Sequence, residues 1–378
     1  MNPSSRLPEI GTSIFSVMSK MALEENALNL SQGFPDFPVS PELIEAIHRQ
    51  MCEGHNQYAP MPGVPALRQV IAQVIEKTYQ RKTDPETEVT ITAGGTEALF
   101  AAIAALVHPG DEVIVFDPAY DSYDPAIRLN GGVPIHINLG PPDFVIPWPE
   151  VERQITPRTR MILVNSPHNP TGSVWSQSDV QRLETLAVQH NLVVLSDEVY
   201  ERLIFDGLTH QSVLGSAALA NRSVAVFSFG KTFHATGWKV GYAVAAPALT
   251  TEIRKAHQFI TFSVNTPVQR ALAEHMQTEA NYLHLASFYE RKRDFFLEQL
   301  KGSSLRPLPC HGSYFQLVAY SDTRTDRQMA EHLTRLHKIA PIPVSAFYQD
   351  GTDHKLLRFC FAKKDETLER AGAILRHI

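Results

Sequence analysis

The chain has 378 residues and a net charge of −6 at pH 7, and its 43% apolar and 20% charged residues suffice for a large core divided between two domains. No block of like charge is longer than Arg291-Lys292-Arg293, which argues against nucleic acid or an anionic membrane as a partner. Cys52, Cys310 and Cys360 are odd in number and widely spaced, against a disulfide framework or a zinc site and in favour of a reducing cytoplasm. Residues Met1 to Asn29 include Lys20, Glu24 and Glu25 and hold no signal-peptide core, and no later stretch is apolar enough to span a membrane.

The segment from Leu30 to Pro41 is too punctuated by glycine and proline for a regular element and is expected to pass between the domains. Short β-branched runs then alternate with helical periodicity. The runs are Glu88 to Thr92, Glu112 to Phe116, Met161 to Val164, Leu192 to Leu195, Val224 to Phe227 and Val240 to Val244. This alternation predicts an α/β fold with a mostly parallel, mixed sheet between helices. Helices are predicted over Thr96 to Val107, stopped by Pro109-Gly110, and over Ser178 to His190. After residue 270 the pattern changes to a long helical stretch from Pro267 to Leu300, a strand from Tyr314 to Val318, a helix from Asp326 to His337, a strand from Leu356 to Phe361 and a terminal helix from Asp365. The expected organisation is a large domain over 41–270 and a smaller α+β domain built from 1–40 and 271–378.

In open α/β sheets ligands collect at the carboxyl ends of the strands, so the residues that follow each strand are the informative ones. The first strand runs into Ala93-Gly94-Gly95-Thr96, either a plain glycine turn or a helix start that presents N–H groups to an anion. The next ends near Tyr120 and Tyr123, rings that suit a core or a stacked planar heterocycle. A third leads to Asn169-Pro170-Thr171-Gly172, whose amides can bond a ring oxygen. Asp197 closes a buried strand and needs a partner there; a protonated pyridine nitrogen is a natural one, with Tyr200 three residues later able to donate to a ring oxygen. Lys231 then closes the apolar run from Ser223, where desolvation favours a neutral amine able to form a Schiff base.

Two other motif readings fail. Phe229-Gly230-Lys231-Thr232 mimics the end of a phosphate-binding P-loop, but Ala225 stands where that motif needs glycine. The sixteen histidines include no His-Glu-x-x-His, and no metal is assigned.

The chain resembles the class I, fold-type I pyridoxal-phosphate aminotransferases over essentially its full length. Within them it looks most like bacterial methionine aminotransferases related to the kynurenine/glutamine aminotransferases. The resemblance is carried by Ser31-Gln-Gly-Phe-Pro-Asp-Phe37, Asn56-Gln-Tyr58, Asn169-Pro-Thr-Gly172, Ser196-Asp-Glu-Val-Tyr200, Ser228-Phe-Gly-Lys231-Thr232 and Gly237-Trp-Lys239-Val-Gly241. It implies pyridoxal 5'-phosphate on Lys231, which would also move the substrate α-proton as a neutral amine. It further implies Asp197 on the pyridine nitrogen, Asn169 and Tyr200 on the ring oxygen, and Tyr120 stacked on the ring. Gly95, Thr96, Ser228 and Lys239 would hold the phosphate, with Tyr58 from a neighbouring subunit, so that a homodimer with shared active sites is expected. Many relatives carry arginine where this chain has Lys239, and the lysine fits the kynurenine/glutamine subgroup.

Arg358, centred in the strand from Leu356, would clamp the substrate carboxylate, with Asn169 and the Gly33 backbone beside it. Phe15, Phe34, Tyr58, Tyr123 and Phe262 are expected to wall the side-chain pocket, favouring methionine or an aromatic amino acid over a charged one. The expected partners are L-amino acids and 2-oxo acids exchanging an amino group by a ping-pong scheme. A carbon-sulfur β-lyase sharing the scaffold is the alternative from the same cofactor class. From another class stands a non-catalytic effector-binding domain, which would need an appended DNA-binding domain for which 1–40 and 271–378 leave no room.

Overall fold

The computed structural model describes residues 4–378. Its strands are β1 (Leu28–Asn29), β2 (Val89–Thr92), β3 (Glu112–Asp117), β4 (Val133–Asn138), β5 (Thr159–Asn165), β6 (Val193–Asp197), β7 (Ser223–Ser228), β8 (Gly241–Ala245), β9 (Arg306–Pro307), β10 (Phe315–Ala319), β11 (Ile339–Ala340), β12 (Ile342–Pro343) and β13 (Leu356–Cys360). Seven of these form one sheet in the order β2-β8-β7-β6-β5-β3-β4. Strands β7, β6, β5, β3 and β4 pair in parallel, and β8 runs antiparallel to both its neighbours. Both faces of β3 and β6 are buried, which is why these strands read as unbroken apolar runs. Edge strand β4 escapes the sequence pattern because Pro134, His136 and Asn138 interrupt its apolar residues and most of it is only half-buried.

Helix Gly94–Leu106 packs against β7 and β8 and against helix Pro247–Ile260. Ala98, Ala101 and Ala102 are buried in it, small enough to bring its axis close to the sheet. It starts at Gly94, two residues before the expected Thr96, so the glycines themselves form its first turn.

The second sheet is antiparallel, in the order β12-β13-β10-β9. β13 lies inside it, with Arg358 opposite Leu317 on one side and Ile342 on the other. β1 pairs in parallel with β11, tying the first part of the chain to the last. The long helical stretch expected over Pro267 to Leu300 divides into three helices, Thr266–His275, Ala280–Leu283 and Leu285–Gln299. The break follows from local side-chain competition, since Asn281 Nδ2 bonds the His275 carbonyl at 2.8 Å and ends the first helix.

Residues 310–313 moor the second sheet to the first. The His311 and Gly312 amides both donate to the Gly172 carbonyl at 2.9 Å, and Ser313 donates to Leu203 at 3.0 Å. Arg293 adds a two-pronged pair with Asp206, each bond 2.8 Å long. No helix among the described residues is long and apolar enough to cross a membrane.

Candidate active site

The carboxyl ends of the parallel strands converge. β5 ends at Asn165 and β6 at Asp197, paired in register, while Ser228 at the end of β7 faces Gly241. Lys231 sits one turn beyond the strand end, in the short helix Phe229–Thr232. Around it opens a cavity of about 380 Å³ bordered by Phe15, Gly33, Phe34, Gly95, Thr96, Tyr120, Tyr123, Asn169, Asp197, Tyr200, Ser228, Lys231, Lys239 and Arg358. Residues distant in sequence thus meet because β-strand ends and the Leu30–Pro41 segment face the same space.

Asp197 is buried at the floor. Tyr123 Oη donates to its Oδ2 at 2.6 Å and the Val199 amide to its Oδ1 at 3.3 Å. Burial pushes the carboxyl up to about 6 against the pull of these bonds. Tyr123, expected as a pocket wall, borders the cavity with its hydroxyl committed to Asp197, and its ring meets Tyr120 edge-on at 5.6 Å. Asn165 Nδ2 holds the Asp197 carbonyl at 2.8 Å, and Asn165 Oδ1 accepts the Asn169 amide at 2.9 Å, linking two strand-end turns.

Lys231 Nζ donates to Tyr314 Oη at 2.9 Å and to the Gly33 carbonyl at 3.3 Å. Among the described residues no carboxylate is bonded to it, and burial pulls the amine down to about 8, so a neutral fraction exists near neutral pH. Tyr200 presents its ring to the amine at 5.4 Å, and burial raises its phenol above the ordinary range.

Arg358 is 0% exposed. One terminal nitrogen donates to Asn169 Oδ1 and the other to the Ser31 carbonyl, both at 2.7 Å, while Nε has no partner among the described residues. The guanidinium lies 3.9 Å from the centre of the Phe315 ring and 5.1 Å from that of Phe15. Burial without a bonded carboxylate lowers it to about 10. A buried cation with an open bonding edge on a cavity suits an incoming carboxylate.

The opposite end of the cavity suits a phosphate. Gly94 has φ +81° at the start of its helix, and a Cβ there would lie 3.4 Å from Lys239 Nζ, filling space beside the ammonium. The helix starts without a side-chain cap, which leaves its first amides to face an anion. A lysine amine, a buried carboxylate, an anion cradle and flanking rings match a phosphorylated pyridine aldehyde group by group.

Tyr58 and Phe262 lie elsewhere. They are 82% and 46% exposed, pack edge-on against each other at 5.5 Å, and do not border this chain's own cavity. Sequence reasoning missed Tyr314 and Phe315, which touch Lys231 and Arg358, because an aromatic pair opening an apolar strand reads as core.

Residues 25–375 match the family described as aminotransferase class I and II. The chain belongs to that family. It is 50% identical over 379 residues to the methionine aminotransferase of Escherichia coli strain K12, covering 100% of this chain and 98% of that one. It is 33% identical to kynurenine–oxoglutarate transaminase 3 of Mus musculus, covering 99% and 89%. The solved structure of YbdL from Escherichia coli, described with a methionine aminotransferase function, superposes with a TM-score of 0.98 at 49% identity over the whole of both chains. This aminotransferase is therefore a fold-type I, pyridoxal 5'-phosphate-dependent enzyme that moves the amino group of an L-amino acid to a 2-oxo acid.

Proposed function

We propose that the amino donor is L-methionine, or an aromatic or other neutral L-amino acid, and that Arg358 takes its carboxylate. The observation that carries this reading is the charge distribution in the cavity. Arg358 is the single arginine among the described residues that border it, and Phe15, Phe34 and Phe315 supply apolar walls. A substrate with a second carboxylate finds no second guanidinium there. The similarity to the Escherichia coli methionine aminotransferase supports the same choice.

When bound, pyridoxal phosphate supplies an electrophilic carbonyl carbon and a conjugated ring that accepts the electron pair left at the substrate α-carbon. Lys231 would hold the group covalently and, once free, take and return the α-proton through Nζ. Asp197, charged and anchored by Tyr123, would pair with the pyridine nitrogen, with Asn169 and Tyr200 at the ring oxygen and Tyr120 on the ring face. Gly95, Thr96, Ser228 and Lys239 would hold the phosphate. Tyr58 and Phe262, exposed on one chain, would reach the cavity of a second copy, making the enzyme a homodimer with shared sites. Residues 41–270 would act as the cofactor-binding domain, and 1–40 with 271–378 as a smaller domain that brings Arg358 onto the substrate. The cytoplasm, where the three free cysteines stay reduced, is the proposed location.

The test is the absorption spectrum of the purified enzyme. Addition of L-methionine alone should bleach the yellow band of the lysine-bound cofactor, and a 2-oxo acid should restore it. A band untouched by methionine but bleached by a dicarboxylic amino acid would refute the substrate reading.

A further inference from the structure

We propose that Tyr314 is a positioning residue for Lys231: with the Gly33 carbonyl it forms a berth that accepts both N–H bonds of the free, neutral amine and leaves its lone pair facing the substrate. This rests on the role proposed above for Lys231 as the base.

The direction of each bond follows from counting protons. Tyr314 Oη lies 2.5 Å from the Gly33 carbonyl and 2.9 Å from Lys231 Nζ, and Nζ lies 3.3 Å from the same carbonyl. A carbonyl has no proton to give, so the one phenolic proton goes to Gly33, and the phenol oxygen is left to accept from the lysine. A neutral amine has two protons and one lone pair. With its protons directed at Tyr314 and Gly33, the lone pair points away from both, into the cavity. A phenol that donated to the amine would block the base; the Gly33 carbonyl prevents this by taking the proton. Burial raises the Tyr314 phenol well above its ordinary range, so it stays protonated through this arrangement.

The berth is also stiff. Tyr314 is fully buried, with ring neighbours Phe315, Tyr200 and Tyr289 at 4.9, 5.1 and 5.7 Å. Gly33 is fixed as glycine by the same packing, because a Cβ there would lie 2.7 Å from Phe315 Cζ. When the α-proton moves, the substrate C–H bond breaks, an N–H bond forms on Lys231 and the electron pair stays on the substrate side. The berth sets the angle from which Nζ receives that proton.

Tyr314→Phe keeps the ring and removes the hydroxyl. In the holoenzyme kcat should fall on the order of 10–100-fold with KM changed by less than about threefold. The kinetic isotope effect with α-deuterated L-methionine should rise, because proton transfer becomes the slower step. In the cofactor-free protein, the pH midpoint for acetylation of Lys231 by acetic anhydride, read by peptide mass spectrometry, should drop below that of the wild type, since the ammonium loses an acceptor. A packing defect would lower the folded fraction but move neither the isotope effect nor the midpoint. Wild-type kcat in the variant, or a lower kcat with both readouts unchanged, overturns the proposal. Should the variant not fold, 3-fluorotyrosine placed at position 314 preserves the shape and weakens the acceptor, and an unchanged midpoint there is equally decisive. A wild type that turns over no amino acid would defeat the functional reading instead, while the acetylation midpoint still decides the berth.

Discussion

Arg358→Met removes the guanidinium while keeping an unbranched side chain of similar reach, and its effects on stability and catalysis should separate. Burial lowers the arginine from its ordinary range to about 10, a penalty of roughly 3 kcal/mol that the substitution relieves. Against this, Asn169 Oδ1 and the Ser31 carbonyl lose their donors, at about 1–3 kcal/mol each. The two sides nearly offset, and in a chain of this length ~1 kcal/mol moves the melting temperature by only about 2 °C. Catalysis has no such offset. Truncating one partner of a buried, hydrogen-bonded charge pair costs about 2–5 kcal/mol, so kcat/KM for an amino acid should fall between about 30-fold and several thousand-fold. The assay is steady-state transamination of L-methionine beside a thermal melt, repeated with the decarboxylated amine of methionine. That amine has no carboxylate to lose, and wild type and variant should use it equally poorly. An equal drop on the amine, or kcat/KM for methionine within tenfold of wild type, would refute the assignment of Arg358 as the carboxylate clamp.

Lys231→Ala should abolish transamination and leave a folded protein with an unchanged circular dichroism spectrum; retained turnover would remove the lysine from the mechanism. Tyr123→Phe takes away a hydrogen bond that holds the burial-raised Asp197 carboxyl down at about 6, so the acid limb of the pH–kcat/KM profile should move to higher pH by up to about one unit. His136 bridges Asp117 at 2.9 Å and Asp124 at 3.0 Å, and although burial opposes it, these bonds hold the imidazole up at about 9 from 6.5. A histidine raised in the folded state stabilises fully below its unfolded value and loses that contribution as pH rises through the folded one. The stability gap between wild type and His136→Gln should therefore reach about 3 kcal/mol at pH 6 and shrink as pH rises from about 6.5 to about 9 in denaturant titrations.

Much of the large sheet was legible in sequence because each buried parallel strand needs apolar residues on both faces, leaving runs such as Val113 to Phe116 and Val193 to Leu195 between helical periods. Edge strand β4 was not, since one exposed side relaxes that demand. Asp197, Asn169 and Lys231 were legible for the same reason in reverse: polar groups at the ends of buried strands have no packing reason to be there. The fine division of labour was not. That Tyr123 serves Asp197, that Tyr314 receives Lys231, and that Phe315 supports Arg358 depends on which ring lands beside which charge. Each of those aromatics has a local pattern compatible with core, and for Tyr314 and Phe315 it is the meeting of two sheets around residues 310–315 that sets them at the cavity.

What the sequence by itself determined is the chemistry: an amine, a carboxylate, an anion-binding helix start and a guanidinium, placed at strand ends by periodicity that follows from burial. What the tertiary structure alone decided is their protonation and aim. Desolvation brings Lys231 down to about 8 and Asp197 up to about 6, and these shifts arise from the low-dielectric surroundings of the whole fold, which no local stretch of chain encodes.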